Sequence, residues 1–225
     1  MMIKNIFKSI GLILLVCLFP TFFFLCFNID PNSITDRQYA IYITIADAIL
    51  LGIYILIFKD TLKKDLKDFV SKFNYYISES LKYWGISLGI MFVSNLVIVF
   101  ILNKTITNNE QLVRSCISAA PLLMIFSVGI CAPITEELTF RKSIKNAINN
   151  KWIYVLISGL LFGSLHIISS FNNIIDLVYL IPYCAPGIAF ALLYYKTDNI
   201  FCSISVHAIH NVMALVLLLI GAALI

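Results

Sequence analysis

Seven apolar stretches follow one another along this chain, separated by short polar breaks. They run from about Ile6 to Ile29, Gln38 to Phe58, Lys82 to Leu102, Cys116 to Phe140, Trp152 to Ser169, Leu177 to Tyr195 and Ile200 to Ile225. Each is near the roughly 20 residues that a helix needs to cross hydrocarbon. The first follows Lys4 and Lys8, as a signal peptide would. Its apolar run is too long for one and no small-x-small cleavage site follows, so a retained span is expected. Pro121 and Pro133 interrupt the fourth stretch, and Pro182 and Pro186 the sixth. Kinked or broken helices are expected there, which a membrane protein tolerates where the backbone lines a cavity. The pattern predicts an all-α, polytopic transmembrane helical bundle of about seven spans. Residues 1–225 read as a single integral membrane domain. An eighth helical element arises if the fourth stretch is split.

One polar break is long enough to have its own pattern. In residues 59–81, Leu62, Leu66, Phe69, Phe73 and Tyr76 recur at helical spacing among lysines and acids. This suits a cytoplasmic amphipathic helix with its apolar face in the headgroup boundary. A solvated linker with a helical turn or two fits as well. In either case the lysines would feel anionic lipid.

Composition agrees with the hydropathy. Of 225 residues, 60% are hydrophobic and 12% charged, too little charge for a soluble domain. The net charge of +4 is unevenly distributed. Lys4, Lys8, Lys59, Lys63, Lys64, Lys67, Lys72, Lys82, Arg141, Lys142, Lys145, Lys151 and Lys196 fall on one side of the predicted spans. Only Arg37, Lys104 and Arg114 fall on the other. The positive-inside rule then predicts a cell-membrane protein with its N-terminus cytoplasmic and its C-terminus outside. Charge arranged by topology argues against a nucleic-acid partner. The six cysteines lie in or beside apolar stretches and form no C-x-x-C pair, so free, small, buried hydrophobes are expected.

Against this background the ionisable residues within the spans stand out, because charge at membrane depth is costly and is a functional hypothesis by default. Glu136 and Glu137 are adjacent in Cys131–Arg141, where two like charges resist joint ionisation. They project about 100° apart around a helix, so they can do different work. Glu137 and Arg141 are one turn apart and can pair. All three histidines fall in spans: His166, with Phe162 one turn before it, and His207 and His210, with Asn211 one turn after His207. Counted from the cytoplasmic ends, Glu136, His166 and His207 can meet in the same half of the bilayer. Asp47, in the second span, is expected to make a polar contact or to line a pathway.

These residues resemble three motifs of the CPBP family, the CAAX-protease and bacteriocin-processing or immunity proteins also called Abi. The family carries E-E-x-x-x-R, matched by Glu136, Glu137 and Arg141. It carries F-x-x-x-H, matched by Phe162 and His166, and H-x-x-x-N, matched by His207 and Asn211. The matches come in family order and place a catalytic core within residues 116–215. The resemblance implies an intramembrane endopeptidase acting on a peptide, leader-bearing or lipidated substrate. Glu136 and His166 would activate water, His207 and Asn211 would stabilise the oxyanion, and Glu137 and Arg141 would orient the others. The family is described both as glutamate-type and as metal-dependent. Zinc or another divalent metal, held by Glu136, His166 and His207, therefore stays open, although the H-E-x-x-H pattern is lacking. His210 lies outside the motifs. The expected partners are a peptide or protein substrate at the membrane and anionic lipid. A non-catalytic bacteriocin-immunity or membrane-scaffold protein of the same fold is the alternative. A transporter is disfavoured because the polar residues crowd into one half of the chain and show no paired repeat.

Overall fold

The computed structural model describes residues 2–100, 108–168, 171 and 174–223. Leu102, Ser169 and Ile225, the expected ends of the third, fifth and seventh stretches, lie outside these residues, as does Lys104. The described residues are helical with no strand. The helices are α1 (Met2–Cys26), α2 (Asp36–Ser71), α3 (Phe73–Phe100), α4 (Asn108–Ala119), α5 (Pro121–Ala147), α6 (Lys151–Ile167), α7 (Leu180–Thr197) and α8 (Ile200–Ala223). Six are long and apolar enough to cross a membrane: α1, α2, α3, α5, the stretch Ile174–Thr197 that contains α7, and α8. The seventh apolar helix, α6, has 17 residues and is shorter. The chain is thus an all-α, multi-pass membrane protein.

The eighth element comes from the expected split. Ala120 leaves the helical region (φ −152°, ψ 67°) and α5 begins on Pro121. The proline ring disfavours helical backbone in the preceding residue, while its missing N–H costs nothing in a first turn. α4 therefore ends inside the predicted fourth stretch. Beyond the break α5 stays helical through Pro133 by widening into two π-turns, Ser127–Cys131 and Leu138–Ser143. Such turns are frequent at functional sites, and these two flank the glutamate pair.

Local signals start the other helices. Thr35 and Gln38 form a capping box on α2: Gln38 N–H donates to Thr35 Oγ1 (3.3 Å) and Thr35 N–H to Gln38 Oε1 (3.0 Å). Asn150 caps α6 by accepting from the N–H groups of Trp152 (3.0 Å) and Ile153 (3.1 Å). α7 ends on Asp198 in the left-handed region (φ 48°), and Asp65 of α2 then accepts from Ile200 N–H (3.1 Å) at the start of α8. The turn between α7 and α8 is thus held by the polar end of α2.

That polar end differs from the expected surface helix. Residues 59–81 form no separate element: α2 runs on to Ser71, α3 starts at Phe73, and only Lys72 breaks the path. Phe69 and Tyr76 stack across the break (5.8 Å, 3°) and are buried against Phe190, Cys202 and Val206. Part of the apolar face is used within the protein, while Leu66 and Phe73 stay exposed. The periodicity is the same for lipid-facing and protein-facing stripes, so the pattern could not distinguish them. Of the cysteines, four are buried, Cys17 is partly buried and Cys26 is exposed; all six are free.

Two contacts position the helices of the site. Tyr54 of α2 donates its hydroxyl to Leu12 O (2.9 Å) and meets Thr139 Oγ1 (2.7 Å), joining α1, α2 and α5 in a buried cluster. α6 and α7 pack at backbone distance. A Cβ on Gly163 would lie 3.0 Å from Cys184 N, and one on Gly159 would lie 3.0 Å from Ile188 N. This is a small-x-x-x-small seam, which lets helices approach closely in lipid. Gly163→Val is expected to destabilise the protein by about 1–3 kcal/mol through overpacking. Thermal unfolding in detergent should show a lower midpoint, and an unchanged midpoint would contradict the seam.

Candidate functional site

The two glutamates take different environments because they leave α5 in different directions. Glu137 has no exposure, and Arg141, one turn on, has none either. They pair bidentately, Arg141 Nε to Oε2 (2.9 Å) and Nη2 to Oε1 (3.1 Å). This fork geometry is the strongest form of the guanidinium–carboxylate contact. Arg141 Nη1 donates to Ser158 Oγ of α6 (2.9 Å), and the guanidinium lies 4.8 Å from the Phe162 ring centroid. A cation over an aromatic face is attracted to it. The pair is thus satisfied on every side in a medium without water.

His207 of α8 joins this pair. Its Nδ1 lies 2.9 Å from Glu137 Oε1. An ionised carboxylate can only accept, so Nδ1 carries the proton and Nε2 points away from Glu137. Nε2 comes 3.7 Å from Glu136 Oε2. The ring is packed edge-on against Phe162 (5.6 Å) and tilted against Phe190 (5.7 Å), with 4% of the residue exposed. Glu136, by contrast, is partly open, and its Oε2 has no hydrogen-bond partner. One carboxylate is consumed by structure. Its neighbour keeps a free oxygen beside an oriented imidazole.

His166 is oriented from within its own helix. Its Nδ1 lies 2.9 Å from Phe162 O, and a carbonyl accepts only, so Nδ1 donates and a neutral ring has its lone pair on Nε2. The ring stacks on Tyr183 of α7 (5.2 Å, 24°), across the close α6–α7 seam. Asn211 donates from Nδ2 to Val128 O (2.8 Å), a carbonyl in the first π-turn. Its Oδ1 and second N–H remain for other partners.

Glu136, His166 and Asn211 line one cavity of about 530 Å³, together with Phe140, Ala132 and Val16. His207 does not line it. It touches the cavity only through Glu136, from behind. The sequence motifs therefore converge, but in two layers: Glu136, His166 and Asn211 at the cavity, and Glu137, Arg141 and His207 packed beneath. Asp47 accepts a hydrogen bond from Ser127 and lines a neighbouring cavity of about 340 Å³ that also reaches Glu136. His210 turns to α3, where Trp84 Nε1 donates to its Nδ1 (3.4 Å).

The residues expected to ligate a divalent metal do not form a trio. Among the described residues no group of three or more His, Cys, Asp or Glu is spaced to hold a metal ion. Glu136 Oε2 and His207 Nε2 provide two donors at one edge.

Several supporting residues gave little sign in sequence. Ser158, the second anchor of Arg141, is a polar residue inside an apolar helix and could have been flagged for that reason. Phe162 stands in the sequence only as the first residue of F-x-x-x-H. It touches all three motifs, through Arg141, His166 and His207. Phe190, Tyr183 and Val128 carry no local signal, because their role depends on neighbours distant along the chain.

Comparison with known proteins places this arrangement. A family model described as type II CAAX prenyl endopeptidase Rce1-like matches residues 118–213. That span contains all three motifs. The chain belongs to the Rce1-like CAAX-protease (CPBP) family of membrane proteins. It is 29% identical over 175 residues to a protein of Bacillus subtilis (strain 168) named "Putative membrane peptidase YdiL", covering 71% of this chain and 62% of that one. It is 30% identical over 149 residues to the UPF0177 protein YxdF of Lactococcus lactis subsp. lactis (strain IL1403), covering 60% of this chain and 80% of that one. A second protein of that strain, UPF0177 protein YaiH, is 31% identical over 104 residues, covering 46% of this chain and 41% of that one. No solved structure matches.

Arg141→Ala would leave Glu137 buried and uncompensated, which costs about 3–5 kcal/mol. Arg141→Lys should recover only part of this, since an ammonium cannot form the fork. Thermal unfolding of both variants in detergent checks the order. Equal midpoints for wild type and Arg141→Ala would refute the anchoring role.

Proposed function

We propose that this protein is an intramembrane endopeptidase that hydrolyses a peptide bond with water activated by Glu136. The observation that supports it most is the unpartnered Glu136 Oε2. Glu136 lines a cavity shared with His166 and Asn211, while this oxygen is itself buried and lies 3.7 Å from an imidazole held by Glu137. A scaffold or immunity protein would be served by the Glu137–Arg141–His207 cluster but gains nothing from a carboxylate oxygen left unbonded.

In this reading water binds between Glu136 and the lone pair on His166 Nε2. Glu136 takes its proton as the oxygen attacks the scissile carbonyl carbon. Negative charge develops on the carbonyl oxygen and meets the second N–H of Asn211. Glu136 then passes its proton to the departing amine, and the C–N bond breaks. His207 acts behind Glu136. Its Nδ1–H is fixed on Glu137, and its Nε2 edge packs 3.7 Å from Glu136 Oε2 and closes the site on that side.

The substrate is a peptide or protein at the membrane, with a leader or a lipid as its anchor. The chain lies in the cell membrane with its N-terminus and most lysines on the cytoplasmic side, where they meet anionic lipid. A reporter fused after Ile225 tests that orientation: activity of a cytoplasmic reporter there would reverse it.

The activity test uses protein reconstituted in vesicles, with a farnesylated peptide bearing a C-terminal Cys-aliphatic-aliphatic-X sequence and with leader-bearing peptides. Glu136→Gln should lower the rate by about 10²–10⁴-fold without loss of folding, the usual worth of a general base. Folded Glu136→Gln and His166→Ala variants that both cleave at the wild-type rate would defeat the assignment. Metal content is measured separately. Stoichiometric zinc in the purified protein, with activity lost on chelation, would replace the side-chain mechanism by a metal-assisted one.

A further inference from the structure

We propose that the ends of α5, α6 and α7 form a seat for the headgroup of one anionic phospholipid, held by Lys142, Lys145 and Lys151 beside Tyr194, Tyr195 and Trp152. This is a defined site, more than the general attraction of basic residues to an anionic leaflet. It does not depend on the peptidase reading.

Three ammonium groups from two helices converge on neighbouring aromatic rings. Lys145 Nζ lies 4.7 Å from the Tyr194 ring centroid and 5.2 Å from that of Tyr195. Lys142 Nζ lies 6.0 Å from the Tyr194 centroid. Lys151 Nζ lies 5.6 Å from the Tyr195 centroid and 4.7 Å from that of Trp152. All three lysines are half-buried, so their charges are gathered rather than spread into water. Aromatic faces attract cations but do not neutralise them. The acids at this end compensate only in part. Asp198 pairs with Lys145 (2.8 Å), and Asp65 is buried and accepts from Ile200 N–H (3.1 Å). Among the described residues, Lys142 and Lys151 have no ion pair.

Helix electrostatics adds to the imbalance. Lys145 lies in the last turn of α5, where a cation meets the negative end of the helix dipole. Lys151 is the first residue of α6, where a cation meets the positive end and is disfavoured. A phosphate between Lys145 and Lys151 would answer both ammonium groups and this helix end together.

The neighbouring surface identifies the rest of the ligand. Trp152, Ile153 and Leu156 are exposed on the first turns of α6. Tryptophan is enriched at the level of lipid headgroups. An anion carrying acyl chains fits both parts, its charge among the lysines and its hydrocarbon along this apolar face. Soluble phosphate fits only the first. The bound headgroup would tie α5, which carries Glu136 and Arg141, to α6, which carries Ser158 and His166.

The test measures lipid contact and needs no turnover. The chain has two tryptophans, so a full-length Trp84→Phe protein in phosphatidylcholine nanodiscs leaves Trp152 as the reporter. Its fluorescence is quenched by lipids brominated on their acyl chains, added as phosphatidylglycerol or as phosphatidylcholine. Phosphatidylglycerol should bind beside Trp152 about fivefold or more tightly, the worth of one lysine near an anionic surface. Lys142→Gln and Lys151→Gln should each weaken the preference, and the double variant should erase it. Lys151→Arg, which keeps the charge, should retain it. Lys63→Gln with Lys67→Gln, on the exposed end of α2, should leave it unchanged. A merely structural role for the three lysines would lower the thermal midpoint of the glutamine variants in pure phosphatidylcholine and leave the headgroup preference intact. Equal quenching by the two lipids, a preference that survives the double variant, or an equal loss in the α2 variant would overturn the seat. Displacement of the brominated lipid by inorganic phosphate at matched ionic strength would overturn the assignment to a lipid.

Discussion

A guanidinium and a carboxylate with no exposure, in a molecule whose surroundings are lipid, must satisfy each other fully or the helix that carries them cannot stay buried. The Glu137–Arg141 fork meets that constraint, and its unused valences organise the rest. Oε1 of Glu137 takes His207 from α8. Nη1 of Arg141 takes Ser158 from α6, and the guanidinium face takes Phe162. One intrahelical ion pair therefore fixes the angular position of two other helices. A buried pair adds little net stability over apolar packing. What it supplies here is direction.

Direction matters because imidazole chemistry depends on which nitrogen holds the proton. The three histidines of this chain receive three different neighbours: a backbone carbonyl, a carboxylate and an indole N–H. Each neighbour sets a tautomer. None of these settings needs a charge to move. In the neutral rings the result is a lone pair on Nε2 of His166 and of His207, and an N–H on Nε2 of His210.

Much of this was legible in the residue pattern, for physical reasons. Segment lengths follow from bilayer thickness, and the split of the fourth stretch follows from the steric effect of Pro121 on Ala120. The Glu137–Arg141 pair is an i,i+4 contact, so spacing alone predicts it. The layering of the site was not legible. Which face of α8 meets α5 is decided by packing between residues far apart in sequence, and His207 fell beneath Glu136 rather than beside His166 on the cavity wall. The π-turns were also unmarked, since extra residues in a helical turn leave no periodic trace over so short a run. The Gly159–Gly163 spacing is visible in the sequence. Its meaning required knowing that α7 was the partner. Residues 59–81 show the opposite limit: a clear amphipathic stripe, part of which is covered by the chain's own α7 and α8.

The shortness of α6 has a consequence for the surrounding membrane. At 1.5 Å per residue, its 17 residues span about 26 Å, less than the roughly 30 Å of hydrocarbon in a typical bilayer. The glycine seam locks α6 against α7, so it cannot slide to share the deficit. A span shorter than the hydrocarbon is accommodated by thinning of the bilayer, by snorkelling of flanking residues or by oligomerisation. Where the bilayer thins, headgroups and their water come closer to the protein's middle. Thinning of that kind beside α6 would shorten the path of water to the helix that carries His166.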